Sequence, residues 1–541
     1  MNALSEVAGE ATSNERRHTA FPKATILLCV SLVAAGLFGS ILWRNGGAFA
    51  YTLDAPYTHM ALAGHILQGT YGLNPGEPAS PSSSILYPFL LAALSLLPIG
   101  QFAPLIVCLL ATGSAALLMY AIADEVGIEV GRLSTLQLAA ITLTTTLAFN
   151  LVGLAFAGLE HSLHVTVTLV SLLGMLRFIR RRQADWWWLA AIAVMPLLRF
   201  EAAAALLADL LVLLAFGKWK HALGIGILGA AGIVGFGFFL HSLGLPWLPS
   251  SVLSRSEVAS QGVGMGSTGL FGLVKAVYST FRSNIMAYGG TLIELLIIVS
   301  LWGVARGALR GRGGADGWAK PAAVGFFIVI AAAQLLGGSL GSFSRYEIYV
   351  LALGACTLLV AWKPAVNGWL RSVTWQRCLG FCAATLLLFS GYVFRTADAV
   401  SAAGNVHDQQ LQLHRFVTEF WQRPYAVNHP GWVNWNNPYY MLELSGLGSE
   451  EARRGGATPE HLADLARAHD VDLAILYDNA VPVPPPSWIR VATLRLRGRV
   501  ISAVGPSVGF YATRRDTVAD LTAAVSRFAV TLPPGATFDP P

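Results

Sequence analysis

YTLDAPYTHMALAGHILQGTYGLNPGEPASPSSSILYPFLLA, residues 51–92, is a polar and irregular stretch between two strongly apolar runs, and the reading of the whole chain turns on it. Asp54 supplies an acceptor side chain and Pro56 a residue that needs no N–H partner, which together mark the start of a helix. The spacing predicts a short helix over residues 55–68. Gly69 ends it, and Gly72, Pro75, Gly76, Pro78, Pro81 and the serines 82–84 then force a loop before the next apolar run. Polar loops positioned by rigid elements commonly carry function.

Outward from this stretch the surroundings are those of a membrane. Of 541 residues 54% are hydrophobic and 12% charged, and run after run reaches the roughly twenty residues a spanning helix needs. A soluble domain has no interior large enough to hide so many. The first run, 24–43, is too long for a signal-peptide core and lacks a small-residue cleavage site after it, so a retained span is expected. The five cysteines lie in or beside apolar runs and imply no disulfide framework; Cys378 and Cys382 sit one helical turn apart, but two thiols alone make no metal site. The net charge of +6 comes from basic residues gathered at the ends of apolar runs, as orientation signals are. Residues 396–541 carry twelve Arg, no Lys and fourteen Asp or Glu, a formal −2, and form no basic groove for nucleic acid.

Arg16, Arg17 and Lys23 precede the first span, which sets the N-terminus in the cytoplasm and Asp54 on the far side. Basic clusters at 177–182, 218–220, 306–320 and 363–377 mark later cytoplasmic loops. With these anchors about eleven spans are expected, at 24–43, 102–122, 133–151, 159–176, 186–198, 200–216, 222–243, 287–305, 321–340, 346–362 and 378–394. The run 85–98 contains Pro88 and Pro98 and is only fourteen residues long, against about twenty for a span. Counting it would export the 177–182 cluster, so it is expected to stay on the outer side. The expected organisation is a cytoplasmic tail (1–23), a transmembrane domain (24–394) with its first outer loop at 44–101, and a small extracytoplasmic α/β domain (395–541). In that last domain periodicity predicts helices at 409–421 and 459–469 and strands at 472–477, 489–496 and 508–513. Residues 533–541 are expected to be disordered.

With this topology the awkwardly placed ionisable residues share one compartment. Asp54, His59 and Glu77 come from the first outer loop, Glu160 and His161 open the fourth span, Arg199 and Glu201 separate the fifth and sixth, Arg255 follows the seventh, and Arg345, Tyr346 and Glu347 open the tenth. Charges at a bilayer edge are expensive and usually face a cavity or a partner, so one polar cavity at the outer leaflet is expected. Arginine forks beside it suit a phosphate, and a carboxylate suits removal of a hydroxyl proton. Each residue also has a plainer reading. Asp54 could cap the helix that Pro56 starts, Arg199 and Glu201 could neutralise each other, Glu160 and His161 could sit at an interface, and Arg345 could mark a span end. A divalent metal held by Asp54 with His59 or Glu77 stays open, since no metal-ligand spacing here is specific.

Leu-Asp-Ala-Pro-Tyr-Thr-His at 53–59, Tyr-Gly-Leu-Asn-Pro-Gly-Glu at 71–77 and Ser-Pro-Ser-Ser-Ser-Ile-Leu-Tyr-Pro at 80–88 resemble the first outer loop of the GT-C superfamily of polytopic membrane glycosyltransferases. Gly-Leu-Glu at 158–160, Leu-Arg-Phe-Glu at 198–201, Leu-Pro-Ser-Ser at 248–251 and Ser-Arg-Tyr at 344–346 match its later landmarks in order. The resemblance runs to about residue 362, and residues 428–448 look like the outer domain of uncharacterised relatives. Among characterised proteins it is similar to mycobacterial arabinofuranosyltransferases and, more distantly, to aminoarabinose and protein mannosyl transferases. The resemblance implies a multi-span enzyme that takes a sugar from a polyprenyl-phosphate donor, with an acid of the first outer loop activating the acceptor hydroxyl. Asp54 occupies that place. Relatives commonly carry two adjacent acids where this chain has Asp54 and Ala55, so Asp54 suffices alone, or Glu77 or Glu160 shares the work, or activity is lost.

The function expected is therefore inverting transfer of a sugar to a cell-envelope glycan, lipid or protein in a bacterial inner (plasma) membrane. Asp54, Glu77 and Glu160 are the catalytic candidates, and His59, Arg199, Glu201, Arg255, Arg345 and Tyr346 the substrate-binding ones. The alternative is a non-catalytic glycolipid or polyprenyl-phosphate binding protein or transporter. No internal repeat supports alternating access.

Overall fold

The computed structural model describes residues 2–253, 270–308, 317–478, 480 and 483–539. Among these, six helices are long and apolar enough to cross a membrane: Phe21–Arg44, Gly100–Glu125, His161–Arg181, Trp219–Ser242, Tyr288–Gly307 and Ala319–Gly337. Two sharply bent pairs, Ile348–Ala361 with Lys363–Arg371 and Trp375–Leu388 with Ser390–Trp421, bring the number to eight if each is one span. The expected count of eleven is not reached, because apolar runs are broken where hydropathy shows no break. The run 133–151 becomes the helix Thr135–Ala148, interrupted at Asn150 (φ 48°) before a second short helix, Leu151–Phe156. The runs at 186–198 and 200–216 give helices of 13 residues each, about 20 Å at 1.5 Å per residue against a hydrocarbon core of about 30 Å. A further helix, Leu270–Met286, was not expected.

The first helix, α1 (Asn2–Arg44), runs back through the stretch expected to be a separate tail. The first outer loop follows and contains α2 (Ala55–Leu67) and α3 (Leu86–Leu94). α2 starts at Asp54 and Pro56 and stops at Gly69, whose φ of 79° is open to glycine without a Cβ penalty. α3 has nine residues, about 14 Å of rise, and is far too short to cross. Next, α4 (Ala103–Glu125) packs against α1 and against the helix His161–Arg181. One end of this bundle carries the basic clusters: Arg177 and Arg180 reach Glu125 at 3.0 and 2.8 Å, and Arg371 pairs with Glu129. The other end carries Asp54, Glu160 and the C-terminal domain.

That domain is a six-stranded mixed sheet: β1 (Tyr425–Val427), β2 (Met441–Glu443), β3 (Leu473–Tyr477), β4 (Ile489–Leu496), β5 (Ser507–Ala512) and β6 (Ala536–Asp539), in the order β2-β1-β3-β5-β4-β6. β1 is parallel to both neighbours and the remaining pairings are antiparallel. The three longer strands lie where alternation placed them; β1 and β2 are three residues each and leave no periodic signal. Residues 536–539, expected to be disordered, form β6 through Leu494↔Phe538 and its neighbours. The prolines at 533 and 534 mask a strand that is stabilised only by its partner.

The domain does not hang on a linker. Ser390–Trp421 is one helical stretch that passes straight through the expected boundary at residue 394, with π-helical turns at Val406–Gln410 and Phe416–Trp421. The outer loop also belongs to the sheet's core, since Leu62, Tyr71, Leu73 and Ile85 are buried in one cluster with Val427, Met441 and Phe510. Asn74 seals the join: its amide accepts from Met441 N (3.0 Å) and donates to Met441 O (2.9 Å).

Candidate active site

A cavity of about 370 Å³ opens between the first outer loop, the outer ends of the helices and the sheet domain. Asp54, His59, Glu160, His161, Arg199, Arg345 and Tyr346 all line it. Residues more than 290 positions apart are thus brought to one site, and backbone fit explains how. Gly158 has φ +64° and lies so close to Tyr51 and Pro56 that a Cβ there would stand 2.6 Å from the Tyr51 ring. Only glycine lets the chain leading to Glu160 press against the start of α2. Tyr87 fixes the same point by donating to Gly158 O at 2.7 Å.

Arg199 is a hub. Its Nε and Nη2 grip Glu201, and its Nη1 reaches Glu160 Oε1 (2.7 Å) and Ser83 (3.2 Å). The Arg199 and Glu160 side chains are 2% and 1% exposed, and Glu201 is 30% exposed. A fork with both edges occupied by carboxylates has little left for a substrate phosphate, so Arg199 and Glu201 build the wall. Glu160 keeps one oxygen, Oε2, buried and without a hydrogen-bond partner.

Arg345 is placed differently. Its Nη2 donates to Tyr346 OH (2.7 Å), its guanidinium lies 4.8 Å from that ring's centre, and its buried Nε has no acceptor. Among the described residues it has no carboxylate partner. Tyr346 stands between the two arginines, with Arg199 5.5 Å from the ring centre. The segment just before Arg345 is a single left-handed turn: Gly341, Ser342, Phe343 and Ser344 all have positive φ, and Arg345 N closes it on Gly341 O at 3.2 Å. Three non-glycine residues in this region cost roughly 1–2 kcal/mol each. Glu347 holds the turn by accepting from Gly341 N (3.0 Å) and Tyr392 OH (3.2 Å). Strain of this kind persists where surrounding contacts over-determine it, typically at functional sites.

Asp54 stands at the N-cap position of α2, yet its side chain makes no capping bond. Instead Oδ2 meets His429 Nε2 at 2.7 Å, with the two side chains 16% and 34% exposed. His429 belongs to the loop after β1, and Pro430 lines the cavity with it. Burial pulls the His429 imidazole down, but the Asp54 charge and hydrogen bond, helped by Glu443, leave it above its ordinary value. Burial holds His59 below its ordinary value, with Glu160 opposing and Arg345 and Arg199 assisting.

One of the expected site residues is not brought in. Glu77 does not line the cavity: its carboxylate accepts from Asn74 Nδ2 at 2.7 Å and lies toward Tyr440. Arg255 lies outside the described residues. His429 was missed altogether, although Asn-His-Pro-Gly-Trp at 428–432, a polar turn beside a tryptophan, was a visible signal. Among the described residues no three His, Cys, Asp or Glu side chains stand close enough to hold a metal ion. Of the residues named for a metal, Asp54 and His59 line the cavity, with Asp54 turned to His429, and Glu77 lies elsewhere.

The chain is thus an α-helical integral membrane protein with a mixed α/β domain at one end of its helices. A family model described as a domain of unknown function (DUF8728) matches residues 403–518, which include His429. No curated protein matches the sequence. Solved structures are similar, three of which follow. The apo oligosaccharyltransferase of Archaeoglobus fulgidus is 10% identical, over 91% of this chain and 74% of that one, with a TM-score of 0.47. ArnT from Cupriavidus metallidurans in the apo state is 14% identical over 91% and 98%, with a TM-score of 0.46. The arabinofuranosyltransferase AftD from mycobacteria is 14% identical over 90% of this chain and 41% of that one, with a TM-score of 0.42.

Proposed function

We propose that the protein is a membrane glycosyltransferase that moves a sugar from a polyprenyl-phosphate donor to a hydroxyl of a cell-envelope glycan, lipid or protein. The observation that carries this is the division of labour in the cavity. One arginine, Arg199, is committed to carboxylates, whereas Arg345 faces the same space with none among the described residues, and Asp54 faces it from the other wall. A cavity of about 370 Å³ falls within the roughly 300–1,000 Å³ of ligand sites. The resemblance of residues 53–88 to the first outer loop of GT-C enzymes points the same way.

In this reading Arg345 holds the donor phosphate. As the bond from the anomeric carbon breaks, the phosphate gains charge, and a preorganised guanidinium stabilises that state more than the ground state. The acceptor hydroxyl approaches on the Asp54 side, and the Asp54 carboxylate drives removal of its proton. The basic clusters at the far end of the helices support a reading in which the cavity and the sheet domain lie outside the cytoplasm, in a bacterial inner membrane.

The test uses right-side-out vesicles holding the full chain, a panel of radiolabelled polyprenyl-phosphate sugars and membrane-impermeant acceptors. Released polyprenyl phosphate and labelled acceptor are expected, with Asp54→Asn slower by about 10²–10⁴. Binding without release across the whole panel would sink the proposal and favour a glycolipid carrier.

A further inference from the structure

We propose that the acceptor proton is taken by His429 of the sheet domain, with Asp54 as the carboxylate that orients and charges it. This rests on the glycosyl-transfer reading and deepens it, because it makes the C-terminal domain part of the catalytic apparatus.

Geometry carries the inference. Asp54 has the start of α2 available to cap, and it makes no such bond. Among the described residues its side chain has one hydrogen-bond partner, His429 Nε2, at 2.7 Å. With Nε2–H donated to the carboxylate, the imidazole is fixed in the tautomer whose Nδ1 carries a lone pair. No described residue bonds Nδ1, the side chain is about a third exposed, and His429 lines the cavity. The free nitrogen is therefore available to a group inside the cavity. A carboxylate behind an imidazole, with the second nitrogen open, is the arrangement of a histidine general base.

The loop is built to deliver this side chain. Asn428 clamps it to the end of β3, accepting from Tyr477 N (2.9 Å) and donating to Tyr477 O (3.2 Å). Trp432 stacks on Tyr57 of α2 with ring centres 4.0 Å apart. Gly431 closes the approach: a Cβ there would lie 3.0 Å from Asp54 Cβ and 2.9 Å from Gln410 Oε1. Gln410 itself comes from the π-helical turn Val406–Gln410 and donates to Tyr477 OH. Three elements of the C-terminal domain thus converge on Asp54, far more than a surface contact needs.

The acceptor oxygen forms a bond to the anomeric carbon while its O–H proton passes to His429 Nδ1. The bond from that carbon to the phosphate oxygen breaks, and its electron pair leaves with the polyprenyl phosphate. The imidazolium, stabilised by Asp54, then returns its proton to water through the open side of the cavity. The charged and titratable groups facing His429 are Asp54, Glu443 on β2, which already accepts from Ser445 N and Gly448 N (both 2.9 Å), and Tyr477, whose ring stands 5.9 Å away. Arg345, His59 and Glu160 face it across the cavity.

A histidine base must be neutral to act, so the rate should rise with pH through a value above the ordinary histidine pKa of about 6.5, whereas a bare aspartate base gives an acid limb near 4. The experiment measures kcat/KM against pH for the full chain in vesicles with a radiolabelled polyprenyl-phosphate sugar, for wild type and His429→Gln. In parallel the protein is labelled with 13C-histidine in nanodiscs, and the resonance missing from His429→Gln is titrated in wild type and Asp54→Asn. Expected are an acid limb above pH 6.5, a loss of about 10²–10⁴ in His429→Gln, and a His429 resonance that titrates above 6.5 and moves down in Asp54→Asn. Wild-type transfer with an acid limb near pH 4, and a His429→Gln rate within threefold of it, overturns the role of His429 and leaves glycosyl transfer standing. Absence of transfer by wild type with every donor overturns both.

Discussion

Removing the Arg199 guanidinium tests whether this residue is wall or ligand. It uses four of its five N–H groups on Glu201, Glu160 and Ser83, so Arg199→Met strands two carboxylates. Their situations differ: Glu160 is 1% exposed and cannot rehydrate, while Glu201 is 30% exposed and can. Stranding one buried charge costs about 3–5 kcal/mol, and the exposed partner adds at most about 1 kcal/mol. We expect Arg199→Met to lose roughly 3–5 kcal/mol, read as a lowered midpoint of thermal unfolding in detergent. Arg199→Met combined with Glu160→Gln should recover most of it, because the stranded charge has gone. A single variant as stable as wild type, or a double variant no better than the single, refutes the claim that Arg199 exists to hold Glu160. If Arg199 were instead a phosphate ligand, its loss would weaken donor use and leave stability untouched.

Arg345 should behave in the opposite way. Having no carboxylate partner among the described residues but a hydrogen bond to Tyr346, Arg345→Ala should cost only about 1 kcal/mol of stability, well below Arg199→Met, yet slow transfer by about 10²–10³, with Arg345→Lys in between because it keeps the charge and loses the fork; an unchanged rate in Arg345→Ala makes it a span-end anchor. The Asp54–His429 pair should be visible in stability as a function of pH. The folded-state pKa of His429 is raised, so the pair's contribution, at most about 1 kcal/mol at this exposure, is fully present below about pH 6.5 and lost as pH rises through the raised value. The unfolding midpoints of wild type and Asp54→Asn should therefore differ at pH 5.5 and converge by pH 9; a difference that grows with pH contradicts the ion pair.

Much of this was legible in the sequence, and the parts that were not share a cause. Hydropathy marks every apolar run, but the rupture at Asn150 and the thirteen-residue helices at Trp186–Leu198 and Ala203–Ala215 are set by tertiary contacts that period and composition do not encode. The convergence of Asp54, His59, Glu160, Arg199 and Arg345 was readable because each charge lies at the end of an apolar run, where only a shared polar space makes it affordable. Glu77 met the same criterion and lies elsewhere, because its loop is bound to the edge of the sheet through Asn74. His429 failed the criterion, since it sits in a polar domain where a histidine attracts no notice. Its proximity to Asp54 spans 375 residues and is created by docking of the sheet domain on the outer loop.

Ala55 gains a meaning from that docking. Beside Asp54, where the loop motif that residues 53–59 resemble would lead one to expect a second acid, this chain has an alanine that also lines the cavity. A carboxylate there would face the same space as Asp54 and Glu160, adding a third negative charge to a cavity whose Arg199 is already taken up by Glu160 and Glu201. Like charges that close raise each other's pKa and weaken the ionised form on which a base depends. In this chain the neighbour of Asp54 is an imidazole at 2.7 Å instead of a second carboxylate. Position 55 thus adds no charge to a cavity in which Asp54 is already paired with His429. Under this arrangement, Ala55→Asp is expected to slow transfer and to lower no step, whereas a chain that had simply lost a needed acid would be accelerated by restoring it.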